Sequence, residues 1–416
     1  MDKQIMAGVH LHVIPTHQFQ TTKIMMTFTS RQTATNAAVR NLLTNILSTS
    51  LAKYPTQTAL ARQLSNLYGA MIGAYVSRLS YAHVMRFKIS VINERYTDQP
   101  LLPQGFDLLK ELIFNPLMNA DSFDALTFKL QQENLINTLK SWDDDKQFYA
   151  LRQVEELVFQ NDPVLATPST GTVDQVAELT NLDLMRAYQD MIAKDRIDIY
   201  VVGDVDAAEV EQLVSQLPLK ERQFNQFAVL TRPNWQGDVL EKVEHQPIEQ
   251  AKLDRVYLCP VNYREPLYRA AMVMNGLLGG TPYSFLFTNV REQASMAYYA
   301  SSSLRPFNGH LVMQTGFQPD NVTAVQTLLD RQVTLLQAGD FSLERLQMVK
   351  DALINQYETS QDYQNLLLER QLTATLTGIA TANDFAKEIQ AVTKDQVVEV
   401  AQGLSKCVEY VLTGED

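Results

Sequence analysis

Patterns of apolar and polar residues recur in the same order in the two halves of the chain. In each half, a run of alternating apolar residues predicts a strand, and apolar residues at helical spacing then predict an amphipathic helix. Each half closes with a predicted helix that leads into a β-branched strand. The paired segments are strands over 80–91 and 309–317, helices over 120–140 and 341–357, and closing helix-strand segments over 182–205 and 396–415. We therefore predict two copies of one structural unit.

The segment between the two copies has the composition of a linker. Residues 217–249 contain three prolines and few periodic apolar positions. We predict an N-terminal domain over 1–216, a linker over 217–249 and a C-terminal domain over 250–416. Helices and paired strands that do not alternate strictly favour an α+β fold, with each half an antiparallel sheet that has helices packed on one face.

The composition is that of a folded protein with a negative surface. The 416 residues are 45% hydrophobic and 20% charged, which suits large apolar cores. Acidic residues number 47 against 35 Lys and Arg, and the net charge of -12 repels phosphate backbones and anionic lipids. We therefore expect no nucleic-acid partner and no membrane partner.

The N-terminal residues lack the apolar stretch of a signal peptide, and no segment has the length and hydropathy of a membrane span. These features predict a cytoplasmic protein. Cys259 and Cys407 lie outside any metal-binding spacing, so we expect both thiols to be buried.

Histidines are the first candidates for metal chemistry. His10 and His12 alternate on a predicted strand and would project from the same face, as a pair of metal ligands can. A polar stripe on a half-exposed strand explains them equally well. His83 and His310 lie on other predicted strands, and the acidic run over 143–145 lacks the spacing of a calcium loop and is typical of a solvated helix end.

Arg291 and Tyr298 are candidates for peptide binding. Gly279 and Gly280 end a predicted helix, the next helix begins near Ser284 and ends near Arg291, and Tyr298 lies on the strand that follows. A guanidinium and a phenol in this arrangement can hydrogen-bond a peptide carbonyl or carboxylate. On spacing alone, a salt-bridged surface arginine is the commoner case. The chain contains no HExxH, HxxEH, Walker A or GxSxG motif.

Around these residues the chain resembles the pitrilysin/insulinase (peptidase M16) family of zinc peptidases. The family's second half carries a pattern like LGGGxxSRLFxxIREKxGLAYS, which appears here as LGG at 278–280, SFLF at 284–287, VRE at 290–292 and MAY at 296–298. Residues 162–188 are similar to the family's HPYGxPxxGTxExIxxLTxxDLxxFY, and VVGDV follows. The resemblance spans nearly the whole chain and implies two α+β halves like those of mitochondrial processing peptidase.

The same resemblance places the family's zinc ligands on residues that cannot bind zinc. Active members carry HxxEH on the first long helix and a glutamate ligand on a later helix. Aligned through the KYP triplet at 53–55, Asn41 and Asn45 occupy the histidine positions and Thr44 the general-base position, while Gln131 occupies the distal glutamate position. Amide oxygens are poor zinc ligands and threonine is no general base, so we expect no catalytic residue and no metal in this chain.

By resemblance, Arg291 and Tyr298 correspond to the arginine and tyrosine with which the family holds its substrate peptide. Some enzymes of the family divide the work between an HxxEH chain that holds zinc and a second chain that supplies this pair. The resemblance implies a non-zinc-binding subunit of such a heterodimer, which forms half of a peptide-enclosing chamber and needs no cofactor of its own. Two positions depart from the pattern, because Ser295 replaces a glycine and Phe285 an arginine.

The sequence leaves two other functions open. The chain can be a catalytically inert scaffold or binding protein, and its likeness to a Gram-positive bacterial subfamily associated with elongation factor P suggests a role in translation-factor modification. It can also be an autonomous metallopeptidase that uses His10 and His12 as ligands. In isolation a homodimer is plausible, because the surface that meets the partner would otherwise be exposed.

Overall fold

The computed structural model describes residues 1–224, 227–379 and 384–414, and these residues group into two units. Unit 1 comprises Met1–Lys140, the described part of Thr167–Val229, and Gln361–Gly378; unit 2 comprises Ser141–Ala166, Leu230–Ser360 and the described residues from Ile379 onward. Each unit therefore includes a segment from the other half of the sequence. This grouping differs from the domains predicted over 1–216 and 250–416.

Unit 1 is built on a six-stranded sheet with the strand order β1-β2-β8-β3-β5-β4. Neighbouring strands are antiparallel except for the parallel pair of β2 and β8. A separate two-stranded hairpin is formed by β6 and β7. The strands are β1 (Asp2–Met6), β2 (Val9–Pro15), β3 (Thr21–Arg31), β4 (Met71–Leu79), β5 (Ala82–Ile92), β6 (Met118–Asn119), β7 (Ser122–Phe123) and β8 (Arg196–Gly203).

Unit 2 is built on a five-stranded sheet with the order β11-β12-β10-β13-β9. Its strands are also antiparallel apart from one parallel pair, β13 and β9. They are β9 (Leu240–His245), β10 (Ala251–Leu258), β11 (Tyr299–Arg305), β12 (His310–Phe317) and β13 (Ser405–Thr413). Strand β9 lies inside the segment predicted as a linker over 217–249, of which residues 225 and 226 fall outside the described residues.

The helices of the first half are α1 (Asn36–Leu47), α2 (Gln57–Asn66), α3 (Leu101–Phe114), α4 (Ala125–Ser141), α5 (Lys146–Val158), α6 (Pro163–Ala166), α7 (Val173–Glu178), α8 (Asn181–Lys194) and α9 (Ala207–Ser215). Those of the second half are α10 (Tyr268–Asn275), α11 (Val322–Gln337), α12 (Leu343–Ser360), α13 (Gln364–Thr377), α14 (Phe385–Gln390) and α15 (Lys394–Gln402). Two π-helical segments span Gly276–Gly280 and Leu286–Gln293, and 3₁₀ turns span Glu94–Tyr96 and Pro319–Asn321.

Both faces of the unit 1 sheet are covered by helices. Ile24 of β3 lies against α3, where a Cβ added to Gly105 would sit 3.3 Å from its Cδ1. The next residue, Met25, clusters with Leu368 and Leu372 of α13. Because successive residues of a strand point to opposite faces, α3 and α13 pack on opposite sides of the sheet.

The unit 2 sheet also has helices on both faces. Leu253 of β10 belongs to an apolar cluster that includes residues of α11 and α12, such as Leu329 and Val349. Helix α5 packs against β10 and β13 on the other face, where the hydroxyl of Tyr149 donates to Glu244 at 2.7 Å. Since α5 comes from the first half of the chain and α13 from the second, each sheet carries one helix supplied by the opposite half.

The predicted α+β class is confirmed, and the order of elements repeats between the halves. The prediction of helices on one face of each sheet is wrong, because each sheet has helices on both faces. Strands β5 and β12, helices α4 and α12, and the closing pairs α8-β8 and α15-β13 lie where the sequence predicted them. Cys259 and Cys407 are both buried and unbonded. Among the described residues, no helix combines the length and hydropathy needed to cross a bilayer.

Candidate functional site

Helix α1 carries three of the residues at the predicted zinc-motif positions, and the side chains of two of them donate hydrogen bonds to backbone carbonyls. Asn41 is 7% exposed, and its Nδ2 donates to the carbonyl of Thr170 at 3.1 Å. Thr44 is fully buried, and its hydroxyl donates to the carbonyl of Arg40 at 2.8 Å. Asn45 is half-buried on the same helix, and Gln131 lies half-buried on α4.

Residues 167–172 form a segment that is fixed over α1 through its backbone carbonyls. Gln32 donates to the carbonyl of Thr167 at 2.9 Å, and His83 binds the carbonyl of Ser169 at 2.8 Å. Gly171 has φ of 74°, and a Cβ at this position would lie 2.5 Å from the Cα of Ala38. This close approach to α1 requires glycine and places the Thr170 carbonyl where Asn41 reaches it.

A buried network of polar and charged side chains connects α1 to strand β5 and to the residue that precedes β8. Arg40 donates from Nε to Nδ1 of His83 at 3.0 Å and from a terminal nitrogen to Asp195 at 2.7 Å. Burial, with a further contribution from the Arg40 charge, lowers the pKa of His83 to about 3. The imidazole is therefore neutral at physiological pH, and its Nε2 hydrogen is donated to Ser169.

His10 and His12 lie on one face of β2, as predicted, but carboxylates and an arginine already occupy that face. His12 bonds Asp2 through Nδ1 at 2.7 Å and Asp198 through Nε2 at 3.3 Å, and Nδ1 of His10 lies 3.4 Å from Asp198. Arg196 makes two further bonds to Asp198, at 2.8 and 2.9 Å. Paired in this way, Asp198 belongs to an ion-pair network on the sheet.

Arg291 and Tyr298 both lie in unit 2 with their polar groups exposed. The Arg291 side chain is 44% exposed at the end of the second π-helical segment, 3.7 Å from Glu292 and 4.9 Å from the ring centroid of Phe287. Tyr298 is 48% exposed and immediately precedes β11, a one-residue difference from its predicted place on the strand. Its N–H donates to the carbonyl of Gly316 at 2.8 Å.

The segment between the two residues is tightly turned. The N–H of Met296 donates to the carbonyl of Val290 at 3.2 Å, which ties the chain before Tyr298 back to the helix that carries Arg291. Ser295 has φ of 52°, a conformation that favours glycine. The glycine of the resembling pattern has a steric reason at this position, and here a serine adopts the same turn.

Phe285 occupies the position of the pattern's arginine and is 2% exposed. Its ring packs in the unit 2 core, and its centroid lies 6.4 Å from the ring centroid of Phe341. The guanidinium carbon of Arg345 lies 5.1 Å from the centroid of the Phe285 ring. This replacement therefore serves the core of unit 2.

Comparison with known proteins places the chain in a family. Residues 178–353 match the family described as peptidase M16 inactive domain. The Bacillus subtilis protein named "Probable inactive metalloprotease YmfF" is 29% identical over 416 residues, covering 98% of this chain and 96% of that protein. The chain belongs to the peptidase M16 family.

Solved structures share the fold of this chain. A crystal structure of a conserved protein from Enterococcus faecalis is 35% identical with a TM-score of 0.94 and covers 100% of this chain and 98% of that one. A peptidase M16 inactive domain from Pseudomonas fluorescens shares the fold, with a TM-score of 0.80 at 16% identity over 100% of this chain and 98% of that one.

The zinc that the M16 family implies does not fit the residues of this chain. The amide of Asn41 and the hydroxyl of Thr44 are committed to backbone carbonyls, and Gln131 offers a neutral amide in place of a carboxylate. Within 1–224, 227–379 and 384–414, no group of three or more His, Cys, Asp or Glu side chains is placed to hold a metal. No step of a reaction is therefore assigned to a metal in this chain.

Sequence reasoning missed one side chain that contacts the candidate pair, Arg291 and Tyr298. Gln318 follows β12 directly, and its Nε2 donates to the hydroxyl of Tyr298. The two residues are separated by 19 intervening positions and meet because β11 and β12 pair as neighbours. A hairpin register derived from the sequence would have been needed to find this contact.

Proposed function

We propose that this chain is the non-zinc-binding subunit of a two-chain zinc peptidase of the M16 type. An HxxEH-bearing homologue supplies the metal and the activated water, and this chain forms half of the peptide-enclosing chamber. Arg291 and Tyr298 bind the substrate backbone. The observation that carries the proposal is the contrast between these exposed donors and the zinc-motif positions of α1, where Asn41 and Thr44 bond the backbone.

The chemistry of the pair suits a peptide carbonyl. A guanidinium carries only hydrogen-bond donors and stays charged at neutral pH, and a phenol can donate one hydrogen. Donors of this kind, aimed at a carbonyl oxygen on which negative charge develops, stabilise the transition state of acyl transfer. Arg291 and Tyr298 would perform this role toward a peptide whose attacking water is held by the other chain.

A free sheet edge in unit 1 also supports peptide binding. Strand β4 is the outermost strand of its sheet, and its first six residues alternate between exposed and half-buried. Met71 and Tyr75 are 61% and 40% exposed along this strand. An extended peptide can pair with such an edge as an additional strand, and its alternate side chains then lie beside these residues.

The relative named as a probable inactive metalloprotease supports a chain that has no hydrolytic activity of its own. A cytoplasmic location is part of the proposal. A homodimer in isolation and a heterodimer with the HxxEH homologue use the same surface in this proposal.

The test is reconstitution with a homologue of similar length, encoded in the same genome, that contains HxxEH. We expect the mixture to cleave an internally quenched unstructured peptide, and the chain carrying Arg291→Ala and Tyr298→Phe to lower kcat/KM by roughly 100-fold. The matched control carries Arg331→Ala and Tyr363→Phe, two exposed residues outside the pair. Equal cleavage by the two double variants contradicts the catalytic role.

A catalytically inert scaffold or binding protein is the alternative, and the same reconstitution separates the two. A stable complex that binds the peptide but shows no zinc-dependent turnover indicates a scaffold, for which a role in translation-factor modification then becomes the hypothesis to test. Zinc-dependent turnover that requires both chains indicates the peptidase subunit.

A further inference from the structure

The side chain of Gln318 is placed to control the direction of the Tyr298 hydroxyl. Gln318 Nε2 donates to Oη of Tyr298. Backbone pairing sets this geometry, because the N–H of Tyr298 bonds the carbonyl of Gly316, two residues before Gln318. The contact therefore joins the start of β11 to the end of β12.

The polarity of this hydrogen bond decides what Tyr298 can offer to a ligand. A phenol has one hydrogen and two acceptor positions on its oxygen. When the amide N–H of Gln318 takes one acceptor position, the hydroxyl hydrogen of Tyr298 is left to point elsewhere. A carboxylate in place of the amide would instead accept that hydrogen and withdraw it from a ligand.

Arg291, on the same segment, has only hydrogen-bond donors. Its guanidinium lies beside Phe287 and near Glu292, and it has no acceptor atom to present. A ligand that meets both residues must therefore supply hydrogen-bond acceptors. Backbone carbonyls of an extended peptide have this property.

We propose that Gln318 is a positioning residue that holds the Tyr298 hydroxyl as a hydrogen-bond donor toward a backbone carbonyl of the bound peptide. This inference rests on the proposed peptide-binding function and adds to it a residue that does not touch the substrate. It predicts that reversing the polarity at position 318 is equivalent to removing the hydroxyl.

The experiment measures binding of fluorescein-labelled β-casein, an unfolded polypeptide, to the full chain by fluorescence anisotropy. We expect Tyr298→Phe to weaken binding roughly 3- to 10-fold, the value of one neutral hydrogen bond. Gln318→Glu should weaken it to the same extent, and Gln318→Met less, because methionine leaves the hydroxyl free to rotate. Thermal unfolding midpoints should stay unchanged in all three.

The double variant Tyr298→Phe/Gln318→Glu separates positioning from a charge effect. If Gln318 acts through Tyr298, the double variant binds as well as Tyr298→Phe alone, since no hydroxyl is left to redirect. A further loss in the double variant assigns the effect to the added charge and overturns the inference.

The remaining outcomes distinguish this inference from the function on which it rests. Normal binding by Gln318→Glu, together with a loss in Tyr298→Phe, overturns the positioning role and leaves the function intact. Unchanged binding by Tyr298→Phe overturns the role of the hydroxyl. No binding by the wild-type chain overturns the proposed function and the inference with it.

Discussion

The side-chain amide of Asn41 bonds the backbone carbonyl of Thr170 at 3.1 Å. Asn41 occupies the position of the first zinc histidine in the M16 resemblance, and Thr170 belongs to the segment over 167–172 that lies against α1. Asn41, where the family pattern has a zinc ligand, thus links helix α1 to the segment over 167–172. Asn41 therefore has a structural role in this chain.

Asn41→Ala is expected to loosen the segment over 167–172. The substitution leaves a partly buried carbonyl without its donor, which costs about 1 kcal/mol. Hydrogen-exchange mass spectrometry should show faster exchange in peptides that cover this segment. Asn45→Ala, a half-buried asparagine on the same helix, is the control, and equal acceleration by both variants would contradict the role assigned to Asn41.

Local patterns explain how much of the fold could be predicted from the sequence. Helix α8 and strand β8 were predicted because an amphipathic helical pattern over 182–205 leads directly into a β-branched run. In the structure Thr180 caps this helix. The equivalent pair, α15 and β13, begins at the capping residue Thr393. Signals within a dozen residues determine such elements.

Long-range packing explains what could not be predicted. Helix α5 lies within the predicted N-terminal domain over 1–216, but its Tyr149 pairs with Glu244 in unit 2. Helix α13 likewise pairs with unit 1 through Glu369 and Arg86. No periodicity distinguishes a helix that packs on its own sheet from one that packs on the other, because both show one apolar stripe.

In the candidate site, too, local motifs could be predicted and long-range contacts could not. The resemblance identified Arg291 and Tyr298 because their positions lie within one continuous motif. Gln318 was missed because it reaches Tyr298 only through the pairing of two strands. The pairing of His12 with Asp198 was missed for the same reason, since 186 positions separate them.

The purified chain is expected to contain no stoichiometric zinc. The zinc-motif positions offer amides and a hydroxyl, and His12 is held between Asp2 and Asp198. Metal analysis by inductively coupled plasma mass spectrometry after dialysis against zinc checks this expectation. Zinc at one equivalent, lost in His10→Ala, would establish the autonomous metallopeptidase in place of the proposed subunit.

Glu369→Gln is expected to destabilise unit 1 by about 2 kcal/mol at neutral pH, because it removes the carboxylate that pairs with buried Arg86 at 3.0 Å and Lys88 at 3.0 Å. Burial opposes ionisation of Glu369, but the two cations outweigh it and lower its pKa. The stabilisation is therefore present above the ordinary glutamate pKa of about 4.3 and is lost as pH falls through the lowered value.

Urea unfolding of wild type and variant between pH 7 and acid, followed at unit 1 by hydrogen exchange, measures this difference. Glu133→Gln is the control, because Glu133 is 58% exposed and its i,i+4 pair with Lys129 spans 4.0 Å. We expect a change below about 0.5 kcal/mol in the control. A Glu369→Gln defect that persists unchanged at low pH contradicts the ion-pair explanation.

The free energy of unfolding of unit 2 is expected to fall as pH rises toward 8, because of the titration of Asp254. The residue is fully buried on β10, Gln314 donates to its Oδ2 at 3.1 Å, and Oδ1 has no hydrogen-bond partner among the described residues. Burial, with a smaller contribution from Glu155, raises the pKa of Asp254 to about 8. The folded state therefore binds the proton more tightly than the unfolded state, whose aspartate pKa is about 3.9.

The sign of the effect follows from this difference. Between about pH 4 and pH 8 the folded chain holds a proton that the unfolded chain has lost, so stability falls as pH rises across this range. Asp254→Asn keeps the hydrogen bond from Gln314 and removes the titration. Its free energy of unfolding at pH 8 should exceed that of wild type by on the order of 2 kcal/mol. The advantage should shrink toward pH 4, where Asp254 is neutral in both states.

Unfolding midpoints measured across this range, with the exposed Asp340→Asn as control, check the prediction. An advantage of equal size at every pH would assign the effect to packing, because only the titration of Asp254 produces a difference that grows with pH.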